Sequence, residues 1–120
     1  MLVIEDEAPL RANLTRILSA ENYRVVTAAD GDEGIRRVLE DRPDLVICDI
    51  LMPGTDGFGV LAALRSWPET AAIPFIFLTA SADKEDLARG LQRGANEYVT
   101  KPFKIVDLLA AVKRLLPGGA

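Results

Sequence analysis

Leu45-Val46-Ile47-Cys48-Asp49 is the stretch on which the fold turns. Four consecutive apolar residues run into one carboxylate. Successive side chains of a strand point to opposite faces, so a strand covered on one face alternates apolar with polar. A strand that is apolar at every position is covered on both faces, as in a parallel sheet between two layers of helices. Arg42-Pro43 ends the helical stretch before it. Pro53-Gly54 and Asp56-Gly57 signal turns after it.

The same alternation of strand and helix extends both ways. Leu2-Val3-Ile4 reads as a first, short strand that ends in three acids. From Ala8 to about Glu21, Leu10, Leu14, Ile17 and Leu18 follow the spacing of one helix face. Arg24 to Ala28 is a second strand. Asp30 and Gly31 open a helix that carries Ile35, Val38 and Leu39. Phe58, Leu61 and Leu64 mark a third helix, which runs until Pro68. Pro74-Phe75-Ile76-Phe77-Leu78 is a fourth buried strand. Asp83 to about Arg93 is a fourth helix, with Gly94 as a natural stop. Glu97-Tyr98-Val99 is a short fifth strand, and Ile105, Leu108, Leu109, Val112 and Leu116 line one face of a last helix. Five such units predict a single α/β domain over 1–116, an open parallel sheet with helices on both faces. Pro117-Gly118-Gly119-Ala120 is expected to be a tail or the start of a linker.

Composition narrows the function. The chain has 120 residues, 49% of them apolar, enough for one cored domain. Its 14 basic and 18 acidic residues give a net charge of −4, which predicts no direct nucleic-acid binding. Histidine is absent, which excludes a phosphohistidine carrier, a His-ligated metal site and a Ser-His-Asp triad within these residues. The single cysteine, Cys48, allows no internal disulfide and fits a reduced, cytoplasmic compartment. No apolar run approaches the roughly 20 residues that span a bilayer, and Met1 to Asp6 lack the pattern of a signal peptide, so no membrane partner is expected.

Ligand sites in open α/β sheets lie at the carboxyl ends of the strands. Glu5 and Asp6 follow the first strand, and Asp49 ends the third. Thr79 follows the fourth, and Lys101-Pro102 follows the fifth. Two carboxylates about 4 Å apart repel by roughly 4 kcal/mol at an effective dielectric near 20. Either one stays protonated or a cation joins them. A cluster of carboxylates without His or thiolate favours hard Mg²⁺, which keeps positions open for a substrate phosphate. Lys101 adds a positive charge and Thr79 a hydroxyl donor. Asp49 can then act as a nucleophile on phosphorus.

Taken singly, each of these residues has a plainer reading. Asp49 alone would be a turn or capping residue, Thr79 a common strand end, and Lys101 a surface lysine. Glu7 reads as a charge at the start of the first helix. Tyr98 could be half-buried packing, Cys48 an inert core thiol and Trp67 a packing residue. It is the joint placement at four strand ends that favours a site.

At this point the chain resembles the response-regulator receiver family of two-component signalling. The resemblance rests on Glu5-Asp6, on Asp49-Ile50-Leu51-Met52-Pro53 with Asp56-Gly57, on Leu78-Thr79-Ala80, and on Gly94 through Phe103. It implies a flavodoxin-like, doubly wound sheet in the order 2-1-3-4-5, with five helices. It implies Asp49 as phosphoacceptor, taking its phosphoryl group from a phosphohistidine. Asp6, Asp49 and the Leu51 backbone carbonyl would hold Mg²⁺, with Glu5 acting through water. Lys101 and Thr79 would be catalytic, Thr79 and Tyr98 the switch pair, and the peptide before Pro102 cis. The donor would be a sensor histidine kinase or a histidine phosphotransfer protein. The signal would leave through the face of the fourth helix, fifth strand and fifth helix, toward an output domain, a downstream protein or a second copy in a homodimer. Lys84, Arg89, Arg93, Lys104, Lys113 and Arg114 mix with acids there. The chain would be a phosphoacceptor promoting its own phosphorylation and dephosphorylation, not a turnover enzyme.

Thr55 and Asn96 depart from the family's pattern, which commonly has a larger apolar residue and an aspartate there; both put local packing in question. Ser81 and Leu51 flank the predicted phosphate. Leu51 cannot orient an attacking water, so slow dephosphorylation is expected. Three other readings fit the chain less well. An FMN site needs a phosphate loop where this chain has acids. A haloacid-dehalogenase-type phosphatase needs a second aspartate where Leu51 stands. A degenerate receiver acting only as an interaction module would have lost some of the site residues.

Overall fold

The computed structural model describes residues 1–80 and 83–116. Ser81 and the stretch 117–120, to which the sequence assigned a place beside the phosphate and a tail, lie outside the described residues. Five strands and five helices alternate: β1 (Leu2–Ile4), α1 (Ala8–Ala20), β2 (Val26–Ala28), α2 (Gly31–Asp41), β3 (Val46–Cys48), α3 (Gly57–Ser66), β4 (Phe75–Thr79), α4 (Lys84–Gln92), β5 (Glu97–Thr100) and α5 (Ile105–Leu115). The strands form one sheet in the order β2-β1-β3-β4-β5. Every pairing is parallel. The doubly wound fold expected from the resemblance is the one observed.

Strand alternation builds two cores. Leu2, Ile4, Val46, Cys48, Phe75 and Phe77 face Val38 of α2 and Phe58, Leu61 and Leu64 of α3. Val3, Ile47, Ile76 and Leu78 face Leu14 and Leu18 of α1 and Leu108, Ala111 and Val112 of α5. This double burial is what the unbroken apolar run of β3 required.

The starts of α2, α3 and α4 are set by side chains that the sequence displays. Asp30 accepts from Glu33 N–H (2.8 Å) and Asp56 from Gly59 N–H (2.9 Å), capping α2 and α3. Asp83 accepts from Glu85 N–H (2.8 Å) at the start of α4. Arg42, at φ 46°, ends α2 in the left-handed conformation just before Pro43.

Three expectations need adjusting. β2 spans Val26–Ala28, shorter than the run from Arg24. Leu39 is 42% exposed and Ile105 is 53% exposed, so neither joins the buried face of its helix. On α5 that face is Leu108, Ala111 and Val112, one step around the helix from Ile105.

Candidate functional site

The switch point of a sheet in this order lies between β1 and β3, where the crossovers go to opposite sides. Asp49 N–H donates to Ile4 O (3.1 Å), so Asp49 sits beside the end of β1. Glu5 N–H donates to Ala28 O (3.0 Å) and extends the pairing with β2. Glu5, Asp6 and Asp49 thereby offer carboxylate oxygens that all lie within 4.8 Å of one another, a group able to hold a metal ion. Glu5 (1% exposed) and Asp49 (6%) are buried, whereas Asp6 is exposed.

Lys101 reaches this cluster from the far side of the sheet. Its N–H donates to Thr79 O (2.8 Å), which continues the β4–β5 register of Thr79 with Thr100. The Lys101–Pro102 peptide is cis. The Lys101 ammonium donates to Asp49 Oδ2 (2.8 Å) and to Glu5 Oε1 (2.9 Å). Burial alone would lower its pKa, but the two carboxylates outweigh that and raise it. Burial raises the Glu5 carboxyl, against the pull of Lys101 and of the Glu7 N–H. The cation thus does for the metal-free protein what the carboxylate repulsion demands.

Asp49 is also held locally. Leu51 N–H donates to Asp49 Oδ1 (3.2 Å), and the Leu51 side chain is 64% exposed above the site. Thr79 is fully buried at the end of β4. It shares a sheet face with Phe77, two residues back. Tyr98 pairs with Phe77 across the strands, with ring centroids 6.1 Å apart in an edge contact. Tyr98 therefore lies outside the carboxylate cluster, half-buried in the core on the α2–α3 side.

Two residues of the site were not singled out from the sequence. Arg11 Nη1 donates to the carbonyl oxygen of Glu5 (2.8 Å). A backbone acceptor leaves no mark in sequence, so nothing in the pattern pointed to it. Gly57 was read as a turn residue and as part of the family's pattern, with no role at the site. A Cβ there would run into the carbonyl oxygen of Asp49 and stand 2.8 Å from Ile50 Cα. The Asp56-Gly57 pair is the trace of that close approach.

A cavity of about 520 Å³ opens elsewhere, at the amino ends of the strands among Met1, Arg24, Arg37, Pro43 and Asp44. It holds none of the residues above.

A parallel sheet ordered 2-1-3-4-5, with three carboxylates at the switch point and a lysine bonded to two of them, is the arrangement of a receiver domain. A family model for the response regulator receiver domain matches residues 1–113, and the chain belongs to that family. It is 43% identical over 114 residues to the phosphate regulon transcriptional regulatory protein PhoB of Rhizobium meliloti (strain 1021), covering 95% of this chain and 50% of the relative. Its fold matches the Vibrio cholerae chemotaxis protein CheY4 with a TM-score of 0.90 at 31% identity, covering 96% of each chain. It also matches the receiver domain of a signal transduction histidine kinase from Syntrophus aciditrophicus, with a TM-score of 0.89 at 39% identity over 98% of this chain and 89% of that one.

These relatives correct one expectation. The chain spans about half the length of the curated relatives it matches, and those are named transcriptional regulatory proteins. A net charge of −4 belongs to these 120 residues alone and bears on nothing beyond them. The expectation of no direct nucleic-acid binding was drawn from that charge and does not stand. For the membrane the statement is narrower: among the described residues, no helix is long and apolar enough to cross one.

Proposed function

We propose that this domain accepts a phosphoryl group on Asp49 from a phosphohistidine donor, in a reaction that depends on Mg²⁺. The observation that carries this reading is the meeting of Glu5, Asp6 and Asp49 within 4.8 Å, with the Lys101 ammonium on two of them. The donor set fits the metal, since it is made of hard oxygens without imidazole or thiolate. Asp6, Asp49 and the Leu51 carbonyl would ligate Mg²⁺, and Glu5 would act through water. When bound, the ion neutralises charge on the carboxylates and on the phosphoryl oxygens.

The chain's own residues do the rest. An Asp49 carboxylate oxygen attacks phosphorus. As that O–P bond forms, the P–N bond of the protonated donor imidazole breaks, and the imidazole leaves neutral. The Lys101 ammonium compensates the charge gathered on the phosphoryl oxygens, and the Thr79 hydroxyl donates to one of them. Thr79 moving to the phosphoryl group would draw Tyr98 inward along the shared sheet face and so alter a protein-interaction face. The domain promotes its own phosphorylation and dephosphorylation without turning over an external product. The Leu51 side chain offers no polar group to orient an attacking water, so loss of the phosphoryl group is slow. The single buried thiol fits a reducing, cytoplasmic location.

The chemistry of the linkage tests this. With labelled acetyl phosphate and Mg²⁺, the protein should take up label that hydroxylamine removes, as expected of an acyl phosphate. Label that resists hydroxylamine, or that persists in Asp49→Asn, would refute the assignment. A protein that neither binds Mg²⁺ nor takes label would be a degenerate interaction module.

A further inference from the structure

The carbonyl of Glu5 is held from outside the carboxylate cluster. Glu5 is pinned at its N–H by Ala28 O (3.0 Å) and at its carboxylate by Lys101 (2.9 Å) and Glu7 N–H (3.2 Å). Its carbonyl oxygen accepts from Arg11 Nη1 (2.8 Å). Arg11 lies one turn into α1, its N–H donating to Glu7 O (2.9 Å). Helix side chains lean toward the amino end, which carries its guanidinium back to the end of β1.

The next residue, Asp6, has no such support. Among the described residues, no hydrogen bond or ion pair holds its exposed carboxylate. Its place comes from the backbone. The peptide from Glu5 to Asp6 is planar, so fixing the Glu5 carbonyl also fixes the Asp6 N–H and Cα. Arg11 forms no ion pair among the described residues. Its guanidinium is spent on that carbonyl.

We infer that Arg11 is a positioning residue, which sets the Glu5–Asp6 peptide so that Asp6 is ready to take the metal. The inference rests on the proposed Mg²⁺ site and deepens it. Removal of an outer-shell partner commonly weakens metal binding by about tenfold or more. Charge alone acts in the opposite direction: losing a cation near three carboxylates should tighten a divalent ion. The sign of the change therefore separates positioning from simple electrostatics.

The test is a calorimetric Mg²⁺ titration of the wild-type domain and of Arg11→Met, Arg11→Gln, Arg11→Lys and Asp6→Asn, with melts in EDTA alongside. Arg11→Met should bind Mg²⁺ about tenfold more weakly while its metal-free melting midpoint stays near wild type. Arg11→Lys, which keeps a donor, should recover part of the loss. Equal or tighter binding by Arg11→Met overturns the proposal. So does a loss that runs parallel to a collapse of the metal-free fold in both Arg11→Met and the milder Arg11→Gln. A wild type that shows no Mg²⁺ binding, or an Asp6→Asn that binds as wild type does, would overturn the metal site itself, and the role of Arg11 with it.

Discussion

The Lys101 ammonium lies 2.8 Å from Asp49 Oδ2, although 52 positions separate the two residues in sequence. Both side chains are largely buried, and Glu5 completes the triad. Lys101→Met would leave two buried carboxylates facing each other without a cation. Breaking one side of a buried pair costs about 3–5 kcal/mol. In EDTA we expect a loss near the lower end of that range, because Lys101 keeps some exposure. Mg²⁺ should then raise the melting midpoint of the variant more than that of the wild type, since the ion takes over the missing charge. Equal Mg²⁺ shifts in the two proteins would contradict this.

Gly57 and Gly54 separate two reasons for a glycine in the loop after β3. Gly54 has φ 74° and open space around its missing Cβ, so Gly54→Ala should cost about 1–2 kcal/mol in backbone strain alone. At Gly57 the obstacle is the backbone of Asp49 and Ile50, which cannot give way as a flexible side chain could. Gly57→Ala should cost about 2 kcal/mol and also displace Asp49. Chemical denaturation measures the first effect. The amide shift of Asp49 by NMR, moved in Gly57→Ala and unmoved in Gly54→Ala, measures the second.

Much of this architecture was legible in the chain itself. The unbroken apolar run of β3 marked a strand buried on both faces, and Asp30, Asp56 and Asp83 stood where helices begin. Leu39 and Ile105 misled because they sit at the edge of an apolar stripe, where a helix of 3.6 residues per turn has already rotated them outward. Thr55 and Asn96, which depart from the family's pattern, make specific bonds. Thr55 Oγ1 donates to Asp32 Oδ1 (2.7 Å), tying the loop after β3 to the start of α2. Asn96 Oδ1 accepts from Phe75 N–H (2.9 Å) and from Arg65 Nη2 (3.3 Å). Partners of this kind, like the Glu5 carbonyl under Arg11, come from tertiary placement and have no spacing to read.

α4 buries little apolar surface on the sheet and stacks a cation on α3. Gly90 is its buried residue, set against the Phe77 ring, while Leu87 and Leu91 are exposed. The Arg89 guanidinium lies 4.2 Å from the centre of the Phe58 ring. Such a contact is worth about 0.5–1 kcal/mol at an exposed site. Arg89→Ala should therefore speed amide exchange throughout α4 and leave β4, the most buried strand, unchanged. Exchange that rises equally in both elements would show that α4 does not open on its own.

Cys48 should behave as a buried thiol. Burial pushes its pKa well above the ordinary value, and the charges of Asp49, Glu5 and Asp56 push it further. The unfolded chain then ionises first as pH rises past about 8.5–9, so Cys48 makes stability fall with pH there by up to about 1.4 kcal/mol per unit. Cys48→Ala should flatten that slope. Iodoacetamide should label the wild type only as fast as it unfolds, and rapid labelling of the folded protein would refute the placement.

Phosphoryl acceptance by Asp49 is tested by weighing the intact protein after incubation with acetyl phosphate, with and without Mg²⁺. We expect one added phosphoryl group, formed only with Mg²⁺ and absent from Asp49→Ala. An adduct that forms equally in EDTA, or that survives in Asp49→Ala, would contradict the reading of this site.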